Sequence, residues 1–156
     1  VSLPYENATS GKNAIGEIEK VLQAFGCSNF GFMSEYDKGE ILVQFKYRDR
    51  NVLIRASING YAAAWLKAHP FNLGRTRGTR KDHERRAREI AGVAVYSIVR
   101  DWVKGQITAI ETGILSFEGA FLGQILLSNG RTIYEEAEEN ILPKMLPAAP
   151  AEQAAQ

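Results

Sequence analysis

Residues 30–58 read FGFMSEYDKGEILVQFKYRDRNVLIRASI, and the fold turns on how this stretch is parsed. Phe30, Phe32 and Tyr36 alternate with polar or small residues. Ile41, Val43, Phe45 and Tyr47 alternate with Glu40, Gln44 and Lys46, and Val52, Ile54, Ala56 and Ile58 alternate with Arg55 and Ser57 among others. Period two is what a strand requires when one face meets a core and the other meets water. Asp37-Lys38-Gly39 and Arg48-Asp49-Arg50-Asn51 are short polar connections of hairpin type. The stretch therefore predicts a three-stranded antiparallel meander.

On the N-terminal side, Ile15, Ile18, Leu22 and Phe25 step by three, four and three, which predicts an amphipathic helix. Thr9 or Ser10 would cap it, and Gly26 would end it in the left-handed conformation. On the C-terminal side, Gly60 opens a short helix, Tyr61 to Ala68, stopped by Pro70. Residues 71–80, with Gly74 and Gly78, read as a mobile basic loop.

A long helix should follow from about Lys81 to Lys104. Ala87, Ile90, Ala91, Ala94, Val95, Ile98, Val99 and Trp102 would be its buried side, with Arg86, Ser97, Arg100 and Lys104 on the narrow polar side. Gly105 and Gly113 should weaken any continuation. Residues 116–127 suggest another apolar helix, Ser128-Asn129-Gly130 a turn, and Ile133 to Ile141 an acidic helix. The order predicts an α+β fold: an N-terminal helix, a three-stranded antiparallel meander, then helices packed on one face of the sheet. Residues 1–142 would form a single domain, with 143–156 a disordered Pro/Ala-rich tail.

A chain of 156 residues with 45% hydrophobic and 24% charged side chains suits one domain with a real core. Cys27 is the single cysteine, so neither an intrachain disulfide nor a thiolate cluster can form, which fits a reducing compartment. No apolar run reaches the ~20 residues of a membrane span, and a signal peptide's layout is missing. The expectation is a cytoplasmic protein with no membrane partner.

The net charge of +1 hides a segregation. Residues 65–104 carry ten basic and four acidic side chains, whereas residues 105–156 carry two basic and seven acidic. Arg75, Arg77, Arg80, Lys81, Arg85, Arg86 and Arg88 fall within fourteen positions. Arginine binds phosphate bidentately and stacks on bases, so the segment is suited to a nucleic-acid backbone. Tyr61 and Phe71 lie nearby as candidate stacking platforms for a single strand. Against this, Arg85, Arg86 and Arg88 stand among Asp82, Glu84 and Glu89 and could form ordinary helix-surface pairs. Tyr61 and Trp65 at helical spacing could equally be packing residues. The basic segment could also meet the acidic C-terminal third of a second copy.

Catalytic constellations are sparse. His69 and His83 are the only histidines, and no nucleophile elbow surrounds any serine. Two histidines and one cysteine cannot furnish a metal site of their own, and no phosphate-binding glycine loop is present, so no cofactor is implied. A nuclease-like reading would set Asp37 before Gln44-Phe45-Lys46, with Glu17 or Glu19 from the first helix. It lacks the second acid, because Gln44 stands in its place.

Two segments carry a resemblance: Gly60-Tyr61-Ala62-Ala63-Ala64-Trp65-Leu66, and Ala94 to Gly113 with Arg100-Asp101-Trp102-Val103-Lys104-Gly105-Gln106. With Ser116-Phe117-Glu118 and Asn129-Gly130-Arg131-Thr132, they resemble small proteins encoded in tailed-phage and prophage genomes. The resemblance spans roughly residues 28–135 and implies a viral origin without attaching an activity. The element order also resembles the core of Rad52-like single-strand annealing proteins, as a fold-level analogy. The functional expectation is a non-catalytic phage-type protein binding nucleic acid, single-stranded DNA in particular, through Arg75, Arg77, Arg80, Lys81, Arg85, Arg86 and Arg88. The runner-up is a phage adaptor or homo-oligomeric accessory protein using the long helix around Val95, Ile98 and Trp102. A metal-dependent nuclease is third.

Overall fold

The structure is a computed structural model that describes residues 2–147. Its sheet is the predicted meander, β1 (Asn29–Glu35), β2 (Glu40–Tyr47) and β3 (Arg50–Ser57), in the order β1-β2-β3 and antiparallel throughout. Phe30 faces Phe45 across the first pair, and Phe45 faces Val52 across the second, so one face gathers the apolar set. The second hairpin is tighter than its polar run suggests. Arg50 already pairs with Tyr47, which leaves only Arg48 and Asp49 as the turn, and Arg48 takes a positive φ of 54°.

Helix α1 (Asn13–Phe25) and the long α3 (Arg80–Glu111) cover that apolar face, with the short α2 (Ile58–Ala68) packed against the N-terminal part of α3. Ile41, Val43, Phe45, Val52 and Ile54 of the sheet meet Ile18 and Leu22 of α1 and Val95, Val99, Val103 and Ile107 of α3. Phe45 and Phe121 are fully buried and cross edge-to-face at 5.4 Å. Each such ring contributes roughly 2–3 kcal/mol through burial. A second, smaller cluster joins α2 to α3 through Ala62, Trp65, Ala87 and Ala91. Its small side chains let the two helices approach closely. The fold is α+β, with its main helices on one side of a small sheet.

Several expectations change. Neither Thr9 nor Ser10 caps α1; Lys12 is the capping residue and supplies no side-chain bond. Ser10 instead accepts a hydrogen bond from Arg100 (3.0 Å). Gly26 does end the helix, at φ 112°. Helix α2 starts earlier than Gly60, because the Ser57 hydroxyl accepts from the Gly60 backbone N–H at 2.8 Å. Helix α3 runs through Gly105 to Glu111, and Gly113, two residues beyond, takes a φ of 78°. Burial of Val103 and Ile107 on either side outweighs the ~1 kcal/mol that an interior glycine costs.

The polar side expected on α3 is also partly covered. Ser97 is buried, and Arg100 reaches Asp101 (2.9 Å), Ser10 (3.0 Å) and Glu17 (3.6 Å). Tyr5 donates to Asp101 at 2.6 Å, so the N-terminal segment lies against this side of the helix.

Residues 116–127 are not one helix. Helix α4 (Phe117–Phe121) passes into a 3-10 turn, Leu122–Gln124. Ile125 then bridges Val52, and the Leu126 N–H donates to the Asn51 carbonyl (2.8 Å), which covers the outer edge of β3. Asn129-Gly130 turns as expected, and α5 (Ile133–Asn140) is the acidic helix. A 3-10 turn follows at Leu142–Lys144, inside the region expected to be a tail; residues 148–156 of that tail lie outside the described residues. Among the described residues, no helix is long and apolar enough to cross a membrane.

Candidate nucleic-acid interface

The basic segment is built at the junction of α2 and α3. Trp65 is buried there, and its ring lies 4.7 Å from His69 and 5.0 Å from His83. His83 Nε2 donates to the His69 carbonyl (2.6 Å), which satisfies a backbone oxygen that α2 leaves open at its end. Phe71 packs 5.9 Å from His83, and the Arg80 guanidinium sits 5.0 Å above the Phe71 ring. His69 in turn pairs with Glu6 (2.7 Å), and that hydrogen bond holds the Glu6 carboxyl below the usual range.

Residues 71–79 have more local structure than glycine and arginine content suggested. Asn72 accepts from the backbone N–H groups of Arg75 (3.1 Å) and Thr76 (2.8 Å), and its own N–H donates to the Thr76 hydroxyl (2.9 Å). Gly78 has φ 83° and lies so close to Asp82 that a Cβ would stand 2.8 Å from its carboxylate oxygen. Thr79 caps α3 in a reciprocal box. The Asp82 N–H donates to the Thr79 hydroxyl (3.2 Å), while the Thr79 N–H (2.9 Å) and hydroxyl (3.0 Å) donate back to the Asp82 carboxylate. Those bonds from Thr79, with Arg85 as a smaller contribution, hold the Asp82 carboxyl below its ordinary range. The amino end of α3 is thus already occupied by its own carboxylate.

Arg75, Arg77, Arg80, Lys81, Arg85, Arg86 and Arg88 are all exposed. Among the described residues only one of them forms an ion pair, Arg85 with Asp82 at 2.8 Å. Of the local pairs expected among Arg85, Arg86 and Arg88, this i, i+3 pair is the one formed among the described residues. Elsewhere the opposite holds: Arg55 meets Glu40 (3.4 Å) and Glu135 (2.8 Å), and Arg131 meets Glu136 (3.1 Å) and Glu139 (2.6 Å). Much of the charge on α5 is therefore spent within the chain, which weakens the case for a second copy's basic segment docking there.

The expected aromatic platforms are largely committed. Tyr61 is half-buried and donates to the Pro4 carbonyl (2.7 Å), while Phe71 carries Arg80 over its ring. The most exposed aromatic among the described residues is Tyr36, 91% exposed, in the turn between β1 and β2. Periodicity alone enrolled it in a strand, although its place beside Asp37-Lys38-Gly39 was the available signal. Close by, Arg88, Tyr96, Ile58 and the turn line a cleft of about 240 Å³.

The residues of the nuclease-like reading do not come together. Asp37 lies in the turn at one end of the sheet and Lys46 near the opposite end of β2, about 20 Å apart along a strand. Among the described residues, no three histidine, cysteine or acidic side chains cluster as metal ligands would. Of the residues expected on the adaptor surface, Val95 is buried in the core, whereas Trp102 stays 36% exposed while packing edge-on against Phe121 at 5.7 Å. Comparison with protein-family models, with curated proteins and with solved structures finds no match.

Proposed function

We propose that the chain is a non-catalytic, phage-type nucleic-acid-binding protein of the cytoplasm that holds a single strand through residues 71–88. The observation that carries this reading is the contrast in arginine pairing. Arg75, Arg77, Arg80, Lys81, Arg86 and Arg88 are exposed without a carboxylate partner among the described residues, whereas Arg55, Arg100 and Arg131 are all engaged. Closely spaced unneutralised cations repel one another, and polyphosphate relieves that repulsion while releasing counterions. Arg75 and Arg77 stand on a hydrogen-bonded turn, and Lys81, Arg85 and Arg88 share one side of α3 by their spacing of four and three. The test is titration of a labelled single-stranded oligonucleotide at low salt, with unlabelled duplex as competitor. Binding that single strands displace better than duplex supports the reading, and absence of binding at low salt removes it.

A further inference from the structure

We infer that the cleft between the β1–β2 turn and the middle of α3 receives one base of the bound strand. This deepens the proposed function and rests on it. The cleft is lined by Tyr36, Ile58, Arg88 and Tyr96 together with Glu35 and Glu40. Its volume of about 240 Å³ falls below the ~300–1,000 Å³ of sites that enclose whole small molecules. It suits a flat group presented from a longer polymer.

Three observations converge on that occupant. Tyr36 is exposed, yet its turn is fixed. The Asn59 N–H donates to the Gly39 carbonyl (3.0 Å) and Asn59 Nδ2 to the Lys38 carbonyl (3.2 Å). A ring on a fixed backbone loses little freedom when a base stacks on it. Next, Arg88 makes no ion pair among the described residues even though two carboxylates line the same cleft. Glu35 is paired with Lys38 (3.3 Å) and Glu40 with Arg55 (3.4 Å), so the Arg88 guanidinium stays available.

Finally, the cleft continues the basic side of α3. Lys81, Arg85 and Arg88 lead along one side to Gly92, where a Cβ would meet nothing within 4 Å, and then to Tyr96, whose ring is braced edge-on by Phe32 at 5.6 Å. From 81 to 88 the helix rises about 10 Å, enough to set its cations beside neighbouring phosphates of one strand. Phosphates on the lysine and arginines would bring a base to the cleft mouth.

The test compares a fluorescent oligothymidylate with an abasic strand of equal length, at low salt, on the full chain. Tyr36→Ala is the informative variant, because an exposed turn residue can be removed without touching the core. Native protein should hold the base-bearing strand about tenfold more tightly than the abasic one, and Tyr36→Ala should erase most of that preference while leaving abasic binding unchanged. Arg88→Gln should weaken both strands. A preference that survives in Tyr36→Ala overturns the cleft while leaving the reading of residues 71–88 intact. Failure of both strands to bind the native protein overturns both.

Discussion

Replacing Arg75, Arg77 and Arg80 with alanine should flatten the salt dependence of strand binding while leaving the fold in place. Six cations of the segment have no carboxylate partner among the described residues, Arg85 being the exception through Asp82. Each phosphate neutralised on a single strand contributes about 0.7 to the logarithmic salt slope, so six contacts give a slope of roughly −4 and three give roughly −2. Between about 50 and about 200 mM salt, native binding should weaken roughly 300-fold and that of the triple variant roughly twentyfold. Fluorescence anisotropy across that range reads both slopes, and circular dichroism melting reads the fold. Because Arg80 also covers Phe71, the Arg75→Ala, Arg77→Ala double variant isolates the turn; its slope should be shallower than native by about 1.4. Equal slopes for native and triple variant would refute the assignment of phosphates to these arginines.

Further outcomes concern the scaffold. Gly39→Ala should destabilise the protein by about 1–3 kcal/mol, since φ is +61° and a Cβ would collide with Asn59; an unchanged urea midpoint would contradict this. Burial pushes the Cys27 thiol up to about 11. At pH 8 its thiolate would be about 0.1% populated, against roughly a quarter for an ordinary thiol, so iodoacetamide should react at least a hundredfold more slowly until urea unfolds the chain. Asp82 has its carboxyl held low in the native state, so its contribution is complete above the ordinary carboxylate value of about 3.9 and is lost as pH falls through the lower native value. Asp82→Asn should remove that acid-side part of the stability profile measured by chemical denaturation.

The meander was legible because alternation is a local signal that one buried face imposes on each strand. The stop at Gly26 and the acidic helix from Ile133 were equally local. What escaped depends on segments distant in the chain. Arg100 and Asp101 are polar, and only the docking of Tyr5, Ser10 and Glu17 covers their side of α3. Ile125 and Leu126 read as helix because apolar content cannot distinguish a short helix from a strand that completes an edge. In the candidate site, the charged residues were visible as a cluster, but their pairing was not. Sequence spacing allowed Arg85, Arg86 and Arg88 to be neutralised on the helix, and among the described residues only Arg85 is. Tyr61 and Phe71 illustrate the converse: both are near the cations in sequence, yet tertiary contacts claim them.

Helix α3 is the shared wall of both apolar clusters, through Ala87 and Ala91 for one and Val95, Val99, Val103 and Ile107 for the other. At 1.5 Å per residue its 32 residues extend about 48 Å without a break. Each cluster lends support to the same helix, so the two are expected to melt together as one cooperative unit. The slowest-exchanging amides would then lie in the middle of this helix, between the cluster beneath the arginines and the cluster beneath the sheet. Loosening at Trp65 would be felt in the protection of Val103.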